Sequence, residues 1–496
     1  MQAPLGFCSP LFLLLSTCVL VSCGLRYISR RQSLPRIPGP FLARWTNLWL
    51  AFHAHRGRRY IVVHKAHQRY GVFVRIGPNH VSISSPDALS VVYGQGPRAP
   101  SKSAYYDAFV CNGNPSIFST RDRRDHSTKR RAMSHVFSSS ALEEFVPLIH
   151  STLGQFMLKM DVLCEAGEFF DLLPWLNYLA FDILSDLAFG EPIGMLQQGS
   201  DVVSVHLSDN SLANENAIAL VDKREHFAAV AGIESWIPWV TKYMPFLSGI
   251  QAATSLEQLA HRQVLRRLSS FRNRNDILGK LINARGCDAR SPNAAEIAGL
   301  TAESVTLLVA GSDTTSNSIA VILHFIITNP PVYDELLRVL LDATSDSNEP
   351  GYEQVKNIPY LQAVINEGLR LHSITAIGLP RSAPSGGLVC CGLYFPEGTE
   401  LSVPAWTISH DAELWGDPDT FRPQRWLEQK ELRQYLLAFG KGPRACIGQN
   451  LAYIEMTSVI AAILLKYKIE VRSPELTTIE GFMHKPLHMW IKLSRR

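Results

Sequence analysis

The chain has 496 residues, of which 46% are hydrophobic and 19% charged, so it is long and apolar enough to bury a large core. Its formal net charge is only +4, and no basic arm or basic stripe with interleaved aromatic residues occurs, which argues against a nucleic-acid partner. Nine cysteines without a CxxC pair argue against a zinc site and a dense disulfide framework, and they favour a reducing compartment.

The first predicted element is an N-terminal membrane anchor. Residues 5–25 carry no charge, and their number suits a helix that crosses a bilayer. Arginines follow this run and no Lys or Arg precedes it, so the positive-inside rule places the rest of the chain in the cytosol. We predict a single-pass anchor over 1–25, a proline-containing hinge over 26–45 and one large domain over 46–496. The alternative is a cleaved signal peptide, which the long apolar run and the lack of a basic start disfavour.

Two stretches predict strand pairs, and most of the remaining chain predicts helices. Gly71–Ser85 has two Val- and Ile-rich runs around a Gly-Pro-Asn turn, and Leu388–Trp406 predicts a second pair around the turn Pro396–Gly398. Elsewhere apolar residues recur at every third or fourth position. The predicted helices are Gln155–Leu163, Asp182–Phe189, Leu256–Leu268, Ala294–Ile327, Val332–Leu341, Tyr360–Leu371 and Leu451–Lys466. The predicted fold class is therefore mainly α with a minor β-sheet region.

A polar stretch interrupts the apolar helix Ala294–Ile327. Residues 310–318 have the sequence AGSDTTSNS, and glycine, an acid and β-branched hydroxyl residues are poor choices in the middle of a helix. A solvated helix face is one explanation, but the flanking residues are strongly apolar. We expect instead a local opening of the helix against a cofactor.

Cys446 stands alone in the glycine-rich segment FGKGPRACIGQN, shortly before the helix Leu451–Lys466. The positive end of a helix and its unpaired N–H groups favour a thiolate over a thiol. Gly440, Gly442 and Gly448 would let the backbone close around the sulfur. A thiolate held in this way is a metal ligand or a nucleophile, whereas an isolated cysteine is more often a small buried hydrophobe.

The segment FGKGPRACIG resembles the FxxGxRxCxG signature of the cytochrome P-450 family, the haem-thiolate monooxygenases. Phe439, Gly442, Arg444, Cys446 and Gly448 match its fixed positions. The resemblance covers the whole chain, and it implies the cytochrome P-450 fold and a haem b cofactor. Cys446 would be the axial ligand of the iron, with Phe439, Arg444 and Gly448 around the cofactor. The chain would use dioxygen to oxidise a small hydrophobic or aromatic substrate.

The resemblance also implies a redox partner. The sequence carries no flavin or nicotinamide fingerprint of its own, so electrons would come from a membrane-bound, NADPH-dependent flavoprotein reductase. That partner suits an endoplasmic reticulum membrane protein with its catalytic domain in the cytosol.

Two further segments match family motifs in the expected order. Asp313 and Thr314 fit the pattern [AG]Gx[DE]T, in which the acid and the threonine deliver protons during oxygen activation, so they are the predicted catalytic pair. Glu367 and Arg370 in NEGLR, together with Arg425 in FRPQRW, match a buried network whose expected role is structural.

Four basic residues match positions that bind haem propionates in the family. In DHSTKRRAMSHVF, His126 stands where most relatives have tryptophan, and Arg130 stands at the arginine that follows. Arg381 and Arg444 complete the predicted set, since a guanidinium can bind a carboxylate with two N–H groups. The alternative for His126 and Arg381 is ordinary surface solvation. Lys129 is expected to be solvated, as part of a basic surface for the redox partner.

Several other segments, among them FDILSDLAFGEPIGM and EGFMHKPL, are similar to fungal benzoate para-hydroxylases, which points to a small aromatic acid such as benzoate as substrate. Fungal members with this scaffold also act as tailoring enzymes in secondary metabolism, so hydroxylation, epoxidation or dealkylation of another metabolite stays open. The segments expected to contact substrate are residues 101–119, 207–246, 374–379 and 481–486, and they show no unique anchor for a carboxylate.

Three other functions are possible alternatives to oxygenation. A haem-thiolate isomerase and a haem protein without turnover are both disfavoured by the complete pair Asp313 and Thr314. A hydrolase with Cys446 as nucleophile would need a paired histidine base, and no motif supplies one.

Overall fold

A computed structural model describes residues 34, 36–206, 212–234, 248–269, 276–285, 292–344 and 351–496. The predicted membrane anchor, residues 1–25, lies outside the described residues, as does the first part of the predicted hinge. The domain boundaries given above therefore remain predictions.

Helices dominate the described chain, as predicted, and the strands are short. The helices are α1 Leu48–His55, α2 Arg59–Tyr70, α3 Ala88–Val92, α4 Arg123–Ser134, α5 Ser139–Glu143, α6 Val146–Ala166, α7 Leu172–Phe189, α8 Met195–Gln198, α9 Ala217–Ala231, α10 Ser248–Ser269, α11 Ile277–Arg285, α12 Ala294–Ile327, α13 Pro330–Thr344, α14 Tyr352–Val355, α15 Pro359–Leu371, α16 Ala405–Ser409, α17 Ala412–Trp415, α18 Arg425–Glu428 and α19 Gln449–Lys466. The strands are β1 Phe73–Gly77, β2 His80–Ile83, β3 Ser101–Lys102, β4 Phe170–Asp171, β5 Val202–His206, β6 Leu212–Asn216, β7 Arg381–Ser382, β8 Leu388–Cys390, β9 Leu393–Phe395, β10 Glu400–Ser402, β11 Tyr467–Val471, β12 Thr478–Glu480, β13 His484–Pro486 and β14 Trp490–Arg495.

These elements form two compact units. Unit 1 comprises the described residues up to Ser103 together with Ile377–Ile408, and unit 2 comprises Ala104–Ala376 together with Ser409–Arg496. Unit 1 is built on a five-stranded sheet in the order β1-β2-β10-β7-β3. The predicted hairpin at residues 71–85 is confirmed, because β1 and β2 pair antiparallel, and β10 then lies parallel to β2.

The turn predicted for the second strand pair is wrong. β8 pairs with β9 so that Cys390 lies opposite Leu393, and the turn between them is Cys391–Gly392, with φ of 47° and 76°. Two consecutive left-handed residues form the type I′ turn that suits a two-residue hairpin. The Pro-Glu-Gly sequence at Pro396–Gly398 is a stronger turn signal in the sequence, but it leads β9 away from its partner and into β10.

The core of unit 2 is built around α7 and α12. α12 spans Ala294–Ile327, as predicted, and begins with a reciprocal cap between Asn293 and Glu296. A Cβ at Gly311 would lie 2.7 Å from Leu184 Cδ2 of α7, so glycine permits this close approach. α12 is also long and apolar enough to cross a membrane, and half of its most apolar window is buried inside the protein, as in an ordinary core helix.

The other predicted helices are present, but they begin earlier than predicted. α7 begins at Leu172 rather than Asp182, and every residue from 176 to 189 is buried. Residues 172–181 are almost wholly apolar in sequence and show no helical period, whereas Asp182, Ser185 and Asp186 give the second half polar positions at helical spacing.

Candidate active site

Cys446 lies in a loop that folds back on itself just before α19. Gly440 and Gly442 have φ of 65° and 67°, a left-handed conformation in which glycine avoids the Cβ clash. The Cys446 N–H donates to the Phe439 carbonyl at 2.8 Å and closes the loop. Gly448 is the N-cap residue directly before α19, and a Cβ there would lie 4.0 Å from Cys446 Sγ. The loop therefore holds the sulfur at the N-terminal end of the helix, as expected.

The electrostatic surroundings of Cys446 differ from the expectation. Its side chain reaches solvent on one side, while protein surrounds the rest. This desolvation raises the pKa of the thiol, and the Gly448 N–H and the charge of Arg130 act in the opposite direction without cancelling it. The helix end alone thus does not produce a thiolate. A metal cation at the sulfur would do so, because a coordinating thiol loses its proton.

Two of the predicted propionate ligands border the cysteine loop. Arg130, on α4, donates to the Ala445 carbonyl, and Arg444 Nη1 donates to the Thr120 carbonyl at 2.8 Å. His126 is buried one turn before Arg130, and residues four apart share a helix face. Arg130 therefore contacts the cysteine loop, to which Arg444 itself belongs. His126 lies on the same side of α4 as Arg130.

Arg381 and Lys129 are the other two basic residues to which the sequence assigned a role, and both contact residues outside the cysteine loop. Arg381 belongs to unit 1, where it is buried and its guanidinium lies 5.0 Å from the centre of the Tyr93 ring. Lys129 is not solvated as expected: its Nζ lies 3.1 Å from Asp125 and 3.8 Å from the buried carboxyl of Glu303. A nearby cation stabilises a buried carboxylate, which explains why Lys129 lies against Glu303 instead of in solvent.

α12 continues unbroken through its polar stretch, so the predicted local opening is wrong. The hydroxyls are satisfied within the helix instead: Thr314 Oγ1 donates to the Ala310 carbonyl at 2.6 Å, and Ser318 Oγ donates to the Thr314 carbonyl at 2.7 Å. Ala310 is exposed, and Gly311 and Thr314 are half-buried, while most residues around them are buried. This part of α12 therefore presents an accessible surface with very small side chains.

Asp313 is buried next to Thr314 and belongs to a chain of ionisable groups. Lys485 Nζ lies 3.5 Å from Asp313 Oδ1 and also donates to Asp222 Oδ1. Asn317 Nδ2 donates to Asp313 Oδ1 at 2.9 Å. The exposed fraction of the side chain falls from 43% at Asp222 to 16% at Lys485 and 4% at Asp313. The three groups thus lead from the surface to the core helix.

The Asp313 cluster, as we call Asp222, Arg224, Glu225, Asp313 and Lys485, is acidic overall. Arg224 pairs with Glu225, so two cations face three carboxyl groups and leave a formal charge of −1. Burial acts to lower the pKa of Lys485, but Asp313 and Asp222 raise it overall. Burial raises the pKa of Asp222 against the effect of Lys485. The lysine therefore stays protonated between the two acids.

Two segments expected to contact substrate meet in an aromatic cluster. The rings of Phe109 and Phe118 have centres 5.3 Å apart, and the ring of Phe482 lies 4.8 Å from the first and 5.7 Å from the second. The segments 101–119 and 481–486 therefore contact each other. Lys485 follows Phe482 closely, so the Asp313 cluster and the aromatic cluster share one stretch of chain.

The Glu367 network, which consists of Glu367, Arg370, Arg425 and Trp426, is fully enclosed. Arg370 donates from Nε and Nη2 to the Glu367 carboxylate at 2.9 Å, Arg425 Nε donates at 3.0 Å, and Trp426 Nε1 donates at 2.9 Å. Both guanidiniums also donate to backbone carbonyls of residues 409–420. The network therefore ties α15 to the chain that precedes the cysteine loop.

The sequence did not reveal Lys485 and Asp222 as site residues. Both residues lie in segments expected to contact substrate. In the sequence alone, however, a charged residue there cannot be told from an ordinary surface residue. The signal that could have identified Lys485 is its position two residues after the buried Met483, on a short strand whose other two residues, His484 and Pro486, are buried.

The donor chemistry of the site suits a flat apolar group with a metal centre and anionic edges. Cys446 offers a sulfur ligand, Arg130 and Arg444 offer guanidiniums beside it, and Ala310 with Gly311 offers a surface that lacks large side chains. Comparison with known proteins identifies the group. The family model of cytochrome P-450 matches residues 35–492. The chain belongs to the cytochrome P-450 family.

This cytochrome P-450 is similar to several fungal oxygenases. It is 36% identical to benzoate 4-monooxygenase of Aspergillus niger over 98% of each chain. It is 31% identical to pisatin demethylase of Fusarium vanettenii, over 91% of this chain and 88% of that protein, and 30% identical to a cytochrome P-450 monooxygenase of Emericella nidulans over 90% of each. The chain is thus a monooxygenase whose cofactor is haem b and which uses dioxygen, an organic substrate and a redox partner.

Proposed function

We propose that this monooxygenase hydroxylates a small aromatic compound, with benzoate as the first candidate. The observation that carries the proposal is the cluster of Phe109, Phe118 and Phe482, because aromatic rings favour edge-to-face contact with another ring. The identity of 36% to a benzoate 4-monooxygenase over nearly the whole of both chains supports the same substrate class.

The residues around the cofactor take the following roles in this proposal. Cys446 ligates the iron, with Phe439 and Gly448 on either side of it along the loop. The basic residues expected to bind the propionates are His126, Arg130, Arg381 and Arg444. When bound, haem b supplies the oxygen-activating chemistry, and the protein supplies the ligand, the orientation and the protons.

Protons would reach the reaction through the Asp313 cluster. Asp222 is half-exposed, Lys485 Nζ contacts both Asp222 and Asp313, and Asp313 is adjacent to Thr314. The Thr314 hydroxyl donates to the Ala310 carbonyl at 2.6 Å, so it must turn away from that carbonyl in order to pass a proton on. Asp313 and Thr314 are then the catalytic pair, and Lys485 is a positioning residue for Asp313.

We further propose that residues 1–25 anchor the chain in the endoplasmic reticulum membrane, with residues 46–496 in the cytosol. A membrane-bound, NADPH-dependent flavoprotein reductase would then deliver the electrons. The uncharged run and the arginines that follow it support this arrangement. Resistance of the chain to alkaline extraction from microsomes, with the C-terminus open to added protease, is the expected result. Release of the chain by alkali would contradict it.

A second candidate is a tailoring oxygenase that acts on a neutral secondary metabolite. The formal charge of −1 on the Asp313 cluster favours it, since the carboxylate of benzoate would be repelled there unless it displaced Asp222 or Asp313 from Lys485. The two candidates therefore differ in the charge of the substrate.

A spectroscopic titration separates the two candidates. After the ferrous CO spectrum has shown thiolate ligation, the purified holoenzyme is titrated with benzoate and with methyl benzoate, while the Soret band is followed. A saturable low-spin to high-spin shift with benzoate supports the aromatic acid. A shift with the neutral ester alone supports the second candidate, and no shift with either compound overturns the assignment to small aromatics.

The role of Cys446 has its own test. Cys446→Ser should abolish the thiolate-type CO spectrum, because a serine hydroxyl does not replace a thiolate ligand. Cys164→Ser, which changes a half-buried cysteine on α6, is the matched control and should leave the spectrum intact. An unchanged spectrum in Cys446→Ser would remove Cys446 from the iron.

A further inference from the structure

The hairpin β8–β9 of unit 1 carries two consecutive cysteines. Cys390 ends β8 and is buried, whereas Cys391 begins the turn and is exposed. Both are free thiols, and their sulfur atoms lie 3.9 Å apart. The two side chains therefore turn toward each other, although neighbouring residues of a regular strand point to opposite faces of the sheet.

The backbone at Cys391 is unusual for a cysteine. Its φ of 47° makes it one of two non-glycine residues with a left-handed backbone in the described part of the chain, and the other is Asn112. Type I′ turns favour Asn, Asp or Gly at these positions, because a Cβ in the left-handed region lies too close to the following carbonyl oxygen. A cysteine is thus a poorer turn residue than asparagine here. A residue held in such a conformation calls for a reason other than the turn.

We propose that Cys390 and Cys391 form a redox site, in which a peroxide converts the two thiols into a reversible vicinal disulfide. The sulfur of Cys391 attacks one oxygen of hydrogen peroxide, the O–O bond breaks, and a sulfenic acid and one water form. The sulfur of Cys390 then attacks the sulfenic sulfur and releases the second water. Two thiols lose two hydrogen atoms and two electrons, and one peroxide is reduced to two waters.

The surroundings assign different roles to the two sulfurs. Cys391 is exposed at the tip of the hairpin, where a small oxidant has access. Burial raises the pKa of Cys390 to about 12, with Cys391 and Asp87 adding to the effect. The thiolate is the reactive form of a cysteine, so Cys390 is protected from direct attack by peroxide. In the second step the sulfenic sulfur lies beside Cys390, and the Cys390 thiol gives its proton to the departing hydroxyl, which leaves as water.

The resulting bond should be easy to reduce. Consecutive Cα atoms are only about 3.8 Å apart, whereas the two Cα atoms of an ordinary disulfide are about 4.4–6.8 Å apart. A bond between neighbours is therefore strained, and strained or exposed disulfides have more oxidising potentials than structural ones. The pair is suited to reversible oxidation in a reducing compartment, and it is poorly suited to hold the fold together.

The test uses the full-length holoenzyme and graded hydrogen peroxide, followed by alkylation of free thiols, tryptic digestion and mass spectrometry. The tryptic peptide from residue 382 to residue 425 contains Cys390 and Cys391 and no other cysteine. We expect this peptide to lose two hydrogen atoms and to resist alkylation, and dithiothreitol should restore both thiols. Diamide, which oxidises thiols without the haem, should give the same product.

Two variants separate the proposal from general oxidation. Cys391→Asn keeps the left-handed turn and removes the attacking sulfur, and Cys390→Ala removes the second sulfur. Neither should form the oxidised peptide, and both should retain the thiolate-type CO spectrum of the wild type. The proposal is overturned if the wild-type peptide instead gains oxygen atoms at Cys391, or if Cys391 links only to a second chain or to glutathione.

Discussion

The Glu367 network and the Asp313 cluster are both built from acids and bases in unit 2, but they differ in exposure and in charge balance. Glu367, Arg370 and Arg425 have no exposed side-chain surface. In the Asp313 cluster, the exposed fraction rises from 4% at Asp313 to 43% at Asp222. The first carboxylate accepts N–H groups from several directions, whereas the second shares one lysine with another acid.

This difference separates a group that fixes structure from a group that can move a proton. Removing a carboxylate that accepts bonds from two guanidiniums and an indole leaves buried polar groups without partners, so Glu367 holds the chain in place. Asp313 instead shares Lys485 with the half-exposed Asp222, so a row of polar groups joins it to solvent. Burial alone therefore does not distinguish a structural acid from a catalytic one, and the role that we propose for Asp313 rests on its link to solvent.

The largest effect is expected from breaking the enclosed network. Glu367→Gln leaves Arg370 buried without a carboxylate partner and Arg425 with only the partly exposed Asp417, so it should cost about 3–5 kcal/mol, enough to prevent accumulation of haem-loaded protein. The yield of the thiolate-type CO spectrum measures this loss. Glu335→Gln is the matched control, because Glu335 and Arg338 have the same three-residue spacing on an exposed helix face and should contribute little. Equal yields from the two variants would contradict the structural role.

The next effect concerns the proton donor on α12. Thr314→Ala should retain the CO spectrum but lower product formed per NADPH by roughly 100-fold, with peroxide released instead, because a positioned acid–base group is typically worth this factor. Ser318→Ala removes the hydroxyl one turn further along the same helix and should behave like the wild type. Normal coupling in Thr314→Ala would exclude the hydroxyl from proton delivery.

A smaller effect is expected at the lysine that joins the two acids. Lys485→Met should lower turnover by about tenfold, since Asp313 loses its nearest cation and its link to Asp222, while the CO spectrum persists. The pH profile of turnover should also change shape. Lys280→Met, which breaks the surface pair of Lys280 with Glu144, should leave both rate and profile unchanged. An unaltered pH profile in Lys485→Met would show that the lysine is only structural.

The last effect concerns stability rather than turnover, and it comes from another buried acid, Glu455 on α19. Burial raises the pKa of Glu455 to about 8. The native state then holds a proton that the unfolded state releases near pH 4.5, so the native state loses stability as the pH rises from about 4.5 to about 8, by at most about 1.4 kcal/mol per pH unit. Glu455→Gln should melt like the wild type at pH 5 and at a higher temperature at pH 8. A pH-independent difference in melting temperature would contradict this assignment.

Much of the fold could be predicted because its long helices carry a clear period and its cysteine loop carries a specific motif. The helix Ala294–Ile327 was predicted to the residue, and the hairpin at residues 71–85 was found where expected. The start of α7 was missed because residues 172–181 are almost wholly apolar and show no helical period. The turn at Cys391–Gly392 was missed because cysteine is an uncommon turn residue.

The site was harder to predict than the fold. The sequence identified Asp313, but not the residues that it contacts. Lys485 lies 172 positions after Asp313, and Lys485 and Asp222 are 263 positions apart. No local pattern links residues at such separations. The inward position of Lys129 was missed for the same reason, since Glu303 lies on a distant helix. Pairing of charges across the fold therefore had to come from the structure.

The sheet of unit 1 has a consequence for synthesis of the chain on the ribosome. β2 lies beside β10, and His80 bonds with Ser402 at 2.8 Å across 322 positions of sequence. At about 5–20 residues per second, β10 emerges roughly 16–64 s after β2. During this interval one edge of the β1–β2 hairpin has no partner strand and can pair with another nascent chain. Slowing elongation after residue 103 should therefore increase aggregation of the nascent protein more than slowing it after residue 408.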